Sequence, residues 1–225
     1  MKVTTFVNEP LDSNCYVLEE SSRAIVVDPG CSNVHSLTEY LAHNSLKLDY
    51  IILTHEHIDH VQSTKSVAEL YDTPVIATAE CINALHNPQL NLSADYPNVE
   101  PQSYLPPRTT TIESLGNNIV WGNIGICFYA TPGHSAGSMC FTVSDILFSG
   151  DTLLEKIKTY TTAPNSSIVE LRDSFELIKS SFSPTQIVYP GHGTPFTLGS
   201  IEPFIDAQIR LLERKIARKG THKNK

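Results

Sequence analysis

The sequence contains no long hydrophobic run. Nothing in it approaches the roughly 18 uninterrupted apolar residues of a membrane span. Its start, Met1-Lys2-Val3-Thr4-Thr5-Phe6-Val7-Asn8, lacks the apolar stretch of a signal peptide. No membrane partner is therefore expected, and a cytoplasmic location is. Paired cysteines are also lacking. The five present (Cys15, Cys31, Cys81, Cys127 and Cys140) are odd in number and include no C-x-x-C pair, which excludes a disulfide framework and a thiolate zinc knuckle. Cys15, Cys127 and Cys140 lie in apolar, strand-like runs and read as buried small hydrophobes. Basic residues are few, with 16 Lys and Arg against 24 Asp and Glu and a net charge of -8. A broad nucleic-acid footprint needs a Lys/Arg surface that this composition does not supply. The basic end formed by Lys215, Arg218, Lys219, His222, Lys223 and Lys225 reads as a solvated terminus after a helix.

The chain has 225 residues, of which 40% are hydrophobic, enough to bury a large core without staples. One domain over 1–225 is the default. Apolar runs predict strands over Lys2 to Val7, Asn14 to Leu18 and Ala24 to Val27, separated by turn signals at Glu9-Pro10 and Glu19 to Ser22, and Asp28-Pro29-Gly30 stops the third. Helical spacing follows from Val34 to Leu41, then a buried strand over Tyr50 to Leu53, a helix over Gln62 to Tyr71, a strand over Pro74 to Ala77 and a short helix from Ala79 to His86. Asn87 to Arg108, with Pro88, Pro97, Pro101, Pro106 and Pro107, is a long loop of the kind that covers active sites. The second half repeats this logic. Strands are predicted over Asn118 to Trp121, Gly125 to Ala130, Cys140 to Val143, Ile146 to Phe148 and Gln186 to Tyr189. A capping box at Ser167-Ile168-Val169-Glu170 opens one helix, and Ile201 to Ile216 line a terminal one. Short strands mixed with helices in two similar halves predict an α/β fold, a four-layer αββα sandwich of two mixed β-sheets flanked by helices.

The chemistry is concentrated in Thr54-His55-Glu56-His57-Ile58-Asp59-His60, directly after a predicted strand. Composition alone would give His, His, Asp and His at these spacings in about one chain in a thousand. A strand followed by a loop gathers such side chains at one sheet end. Three further strand ends each carry a Gly and then a possible ligand: Pro132-Gly133-His134, Ser149-Gly150-Asp151 and Pro190-Gly191-His192. A lone histidine is ordinarily a satisfied surface or core residue. Seven N and O donors from four strand ends are not. Imidazole and carboxylate without thiolate suit zinc, and five His with two Asp exceed the needs of one tetrahedral ion. Two ions sharing a carboxylate, with iron or manganese as other possibilities, would place a bridging water where it can ionise near neutral pH.

On these motifs, with Asn14-Cys15-Tyr16-Val17-Leu18, Val27-Asp28-Pro29-Gly30 and Pro190-Gly191-His192-Gly193, the chain resembles the metallo-β-lactamase superfamily, and within it the short glyoxalase II-like hydrolases. The resemblance implies that His55, His57 and His134 hold one zinc, that Asp59, His60 and His192 hold a second, and that Asp151 bridges them. It implies a dinuclear hydrolase of a small acyl substrate, with a thioester preferred, using a metal-bridging hydroxide that Asp59 helps to orient. Tyr160 is a candidate catalytic and substrate-binding hydroxyl and Lys158 a candidate for a substrate carboxylate. A solvated loop is the competing reading of both. The superfamily also holds lactonases, β-lactamases, RNA-processing enzymes and mononuclear iron dioxygenases, and fold analogy does not choose among them. A nuclease, a one-iron redox enzyme using His55, His57 and Asp151, and a non-catalytic metal scaffold are the other classes considered. The acidic balance disfavours the first and the complete ligand set the last. The chain departs from the closest pattern at Gln62-Ser63, where relatives carry two glycines, and over Lys156 to Thr161. It ends before the helical domain that binds glutathione in longer relatives, so a glutathione thioester is not required as substrate. Oligomeric state is not legible.

Overall fold

The computed structural model describes residues 1–222 except positions 10, 32, 97 and 98. Of the residues singled out above, Pro10, Pro97, Lys223 and Lys225 lie outside the described residues, and the side chains of Lys219 and His222 are likewise not described.

Two six-stranded sheets pack face to face. The first runs in the order β1 (Lys2–Asn8), β2 (Ser13–Glu20), β3 (Arg23–Val27), β4 (Lys47–Ile52), β5 (Val75–Ala77) and β6 (Thr109–Thr111). Its first two pairings are antiparallel and the other three parallel. The second sheet comprises β7 (Asn118–Trp121), β8 (Ile124–Ala130), β9 (Met139–Val143), β10 (Ile146–Gly150), β11 (Ile187–Pro190) and β12 (Phe196–Thr197). Only β10 and β11 pair in parallel there. Both sheets are mixed, and the four-layer sandwich expected from the sequence is the fold observed.

The layers follow from the period of two along each buried strand. On β2, Cys15 and Val17 face a core shared with helices, whereas Tyr16 and Leu18 face the opposite sheet. On β3, Ala24 and Val26 divide from Ile25 and Val27 in the same way. The outer layer of the first sheet is made by α1 (His35–His43), α2 (Ile58–Val61), α3 (Thr64–Tyr71) and α4 (Ala79–Ala84), which contribute Leu37, Leu41, Val61, Val67 and Cys81. On the far side, α5 (Ile168–Ser181) and α6 (Leu198–His222) bury Leu171, Phe175, Ile205 and Ile209 against Cys140, Leu147 and Val188.

Several local expectations are corrected. Asp59 and His60 lie on the short helix α2 rather than in a loop, and the helix predicted from Gln62 begins at Thr64. The chain breaks there because the Ser63 N–H leaves the helical ladder to donate to Pro29 O, 2.9 Å away. Ser167 caps α5 by accepting from the Glu170 N–H, but the capping box is only half made, since the Ser167 N–H donates to Gly133 O. Cys127 is exposed. It alternates with buried Ile126 and Phe128 on β8, so its parity points it away from the inter-sheet core. Strands β6 and β12 carry no apolar run long enough to announce them.

Asn87 to Arg108 contains neither helix nor strand among its described residues. It is nevertheless pinned down. Buried Asn91 donates from Nδ2 to Gln102 O (2.9 Å), and its carbonyl accepts from the Ile58 N–H (2.8 Å). The loop is thereby fastened to the segment that carries the histidine motif.

Candidate metal centre

All seven proposed ligands emerge at one end of the sandwich, from both sheets. His55 and His57 follow β4, Asp59 and His60 stand on α2, His134 follows β8, Asp151 follows β10 and His192 follows β11. The two sheets are sewn together at this end. Met139 N–H donates to Thr54 O (2.8 Å), Asn14 N–H to Gly191 O (2.6 Å) and the Tyr16 hydroxyl to Pro190 O (2.6 Å). Two of the glycines before ligands are needed for different reasons. Gly150 has φ +48 and its missing Cβ would lie 2.4 Å from Thr54 Oγ1, whereas a Cβ on Gly191 would lie 2.0 Å from Asp151 Oδ1.

Donor atoms of His55, His57 and His134 lie within 4.8 Å of one another, as do those of Asp59, His60 and His192. Asp151 stands between the groups. Its Oδ2 is 3.7 Å from His134 Nε2 and 3.5 Å from His192 Nε2, and its Oδ1 is 3.6 Å from His60 Nε2. These spacings are longer than hydrogen bonds. They resemble the separation of about 3.3 Å between two ligands of one tetrahedral ion with bonds near 2.0–2.1 Å. The buried His55 Nε2, His60 Nε2 and Asp151 Oδ1 have no hydrogen-bond partner, an arrangement that costs free energy unless something else satisfies them. The residues therefore fit a metal-binding cluster.

The far side of four of the five imidazoles is occupied, whereas His57 Nδ1 lies 2.9 Å from His134 Nε2 within the cluster. His134 Nδ1 donates to Tyr160 O (3.0 Å) and His192 Nδ1 to Asp12 O (3.1 Å). His60 Nδ1 donates to Asp28 Oδ2 (3.0 Å). The Thr54 hydroxyl donates to that same oxygen (2.6 Å) and so accepts from His55 Nδ1 (3.0 Å). The Thr54 N–H fills Asp28 Oδ1 at 2.7 Å. Asp28 sits within reach of His55 and His60 as a possible ligand, but its oxygens are spent on these bonds. It orients two histidines and leaves their Nε2 lone pairs aimed at the centre. Glu56, between His55 and His57, is fully buried and turned the other way, accepting from Ser135 Oγ (2.9 Å) and Asn165 Nδ2 (2.5 Å). It ties the histidine motif to the His134 loop.

Burial, reinforced by the neighbouring imidazoles, holds His55 well below its ordinary pKa, and burial with His134 does the same for His57. Their lone pairs are free at neutral pH. Burial also opposes charge on His60, yet Asp59, Asp151 and Asp28 outweigh it and raise its imidazole to about 10. Burial opposes ionisation of Asp59, but His60 and His192 hold its carboxyl well below the usual range. The carboxylates of Asp59, Asp151 and Asp28 around His60 thus favour positive charge at that end of the cluster, whereas the His55 and His57 end is neutral.

A cavity of about 470 Å³ opens onto the centre, with His57, Asp59, His134, Asp151 and His192 at its floor. Tyr160, 55% exposed, lines its wall. Lys158 does not line it and is exposed, contrary to its expected role. The intervening Thr159 is anchored inward by its hydroxyl on Thr152 O (3.1 Å) and its N–H on Gln208 Oε1 (3.2 Å), which leaves Lys158 facing solvent. Leu92, Asp95 and Tyr96 from the proline-rich loop complete the wall. None of the three was singled out from the sequence. The proline density that marked the loop was the only signal.

A two-sheet sandwich with such a His/Asp cluster at its mouth defines a metallo-hydrolase scaffold. The chain belongs to the metallo-beta-lactamase superfamily, whose family model matches residues 8–192 and so spans all seven clustered residues. It is 31% identical over 182 residues to a Bacillus subtilis protein described as a probable polyketide biosynthesis zinc-dependent hydrolase, covering 79% of this chain and 72% of that one. The crystal structure of the B3 metallo-beta-lactamase BLEG-1 superposes with a TM-score of 0.81 at 26% identity, covering 91% of this chain and 99% of that one. A di-iron-bound form of the protein TTHA1623 superposes at 0.75, also at 26% identity, over 88% of this chain and 96% of that one. Among the described residues no helix is long and apolar enough to cross a membrane.

Proposed function

We propose that this chain is a single-domain, dinuclear metal-dependent hydrolase of a small acyl substrate, a thioesterase of the glyoxalase II-like kind. The position of Asp151 carries the reading, because its Oδ2 lies near both His134 and His192 and its Oδ1 near His60, so that its carboxylate reaches both histidine groups. On this reading His55, His57 and His134 would hold one ion and Asp59, His60 and His192 the other, with Asp151 placed to serve both groups. Zinc is the metal proposed, supported by the name of the Bacillus subtilis relative. The di-iron relative makes iron the alternative to be measured. Divalent ions held there supply Lewis-acid polarisation of an acyl carbonyl and activation of water at neutral pH.

The protein's own groups do the rest. Asp59, kept ionised by His60 and His192, accepts a hydrogen bond from the attacking water and sets its direction. His134 and His192 are locked in orientation by the Tyr160 and Asp12 carbonyls, so the centre is formed before substrate arrives. Tyr160 presents its ring and hydroxyl to the acyl compound from the wall.

The test is turnover of a thioester, a lactone, a β-lactam and a phosphodiester by zinc-loaded protein, with metal content measured on the same sample. About two ions per chain and fastest thioester turnover are expected. Phosphodiester cleavage alone, or one retained iron, would overturn the assignment. In Asp151→Asn the second ion and activity should be lost together while the circular dichroism spectrum persists, since the three apolar cores do not depend on metal.

A further inference from the structure

The cavity wall facing the ligands has a charge of one sign. None of the described residues lining it is Lys or Arg, and the loop contributes the exposed carboxylate of Asp95. Beside it stands the half-buried ring of Tyr96, and the exposed ring of Tyr160 lines the same cavity. A phenol is neutral near pH 7, and its ring presents an electron-rich face. A carboxylate flanked by tyrosine rings is the chemistry that recognises an ammonium group. An anionic tail would meet Asp95 with no base to offset it. The net charge of -8 adds a long-range field of the same sense.

We infer that this wall reads the far end of the substrate as a cation. The cavity takes an acyl compound carrying an ammonium group distal to its carbonyl, with Asp95 as counter-charge and Tyr96 and Tyr160 as aromatic faces. The acyl carbonyl would lie at the opposite end of the cavity, beside Asp59, His134, Asp151 and His192. The inference rests on the proposed acyl hydrolysis, names its substrate class, and excludes doubly carboxylated leaving groups such as glutathione as preferred substrates.

The test uses three thioesters of equal length on the zinc-loaded full chain, ending in trimethylammonium, in the isosteric tert-butyl group and in carboxylate. The ammonium compound should exceed the neutral one in kcat/KM by about tenfold, through KM, with the carboxylate slowest. That advantage should shrink as salt rises and largely disappear in Asp95→Asn. A non-hydrolysable thioether bearing the same ammonium group, titrated by calorimetry, should bind the parent more tightly than Asp95→Asn. Neutral and carboxylate thioesters turned over as well as the ammonium one would overturn this inference and leave the thioesterase reading standing. If no thioester reacts, the thioesterase reading fails. Tight, Asp95-dependent binding of the thioether would then still support the cation site, and weak binding would overturn it as well.

Discussion

Replacing Asp28 by Asn removes charge from a buried group while preserving its size. Asp28 is 2% exposed and accepts three hydrogen bonds, from the Thr54 N–H, the Thr54 hydroxyl and His60 Nδ1. Asparagine has one oxygen to offer. If that oxygen takes the place of Oδ2, which serves two donors, the new NH2 group confronts the Thr54 N–H at 2.7 Å. One bond to a charged acceptor, about 1.5–3 kcal/mol, is lost, and two others lose their charge assistance. A destabilisation of about 3 kcal/mol follows, which for a chain of this size lowers Tm by about 6–12 °C. His60 also loses the carboxylate that fixes its tautomer, so affinity at the Asp59–His60–His192 group should fall about 10- to 100-fold. The His55–His57–His134 group should suffer less, since Asp28 reaches His55 only through Thr54. Competition against a chromophoric chelator gives both affinities, and thermal melting of the metal-stripped protein gives the stability. A variant with parental Tm and both affinities within about threefold of the parent would show that Asp28 does not orient the histidines.

Two further outcomes are expected. Glu56→Ala should weaken metal binding at the His55–His57–His134 group more than at the other and lower Tm, because Ser135 and Asn165 lose their shared acceptor. Glu56→Gln should recover most of both, and equal loss in the two variants would refute the bracing role. Asp49→Ala should cost about 1–3 kcal/mol by leaving the buried Trp121 indole N–H, now 2.9 Å from Asp49 Oδ2, without a partner. Burial pushes the Asp49 carboxyl up, but Arg23 and Trp121 hold it below its ordinary 3.8. Its stabilisation is therefore complete above about pH 4 and is lost as pH falls through the lower folded value. Urea midpoints measured down that range should fall more steeply for the parent than for Asp49→Ala, and parallel curves would refute the linkage.

The sequence by itself determined the layers and the ligand types. Continuous apolar runs such as Cys15 to Leu18, bounded by turn residues, are a local property and marked the buried strands without coordinates, whereas which side chain faces which layer was decided by packing. His55, His57, Asp59 and His60 were visible for a similar reason, being four donors within six residues. His134, Asp151 and His192 could be flagged by the strand, glycine and ligand pattern that precedes each, but their convergence could not, because they approach the motif from the other sheet. Only the packing of β8, β10 and β11 against the end of β4 brings Asp151 within 3.6 Å of His60. The roles of Asp28 and Glu56 were likewise decided by tertiary structure. A buried carboxylate acquires its function from the donors folded around it, and those donors come from three separate segments: Thr54 and His60 from the histidine motif, Ser135 from the loop after β8 and Asn165 from the turn before α5. The cavity wall is the extreme case: Leu92, Asp95, Tyr96 and Tyr160 sit in segments without periodicity, and their placement depends on anchors such as Asn91 and Thr159 that hydrogen-bond to distant backbone and side chains. Ligand chemistry is written in residue type and local spacing, whereas selectivity depends on which loops are folded over the site.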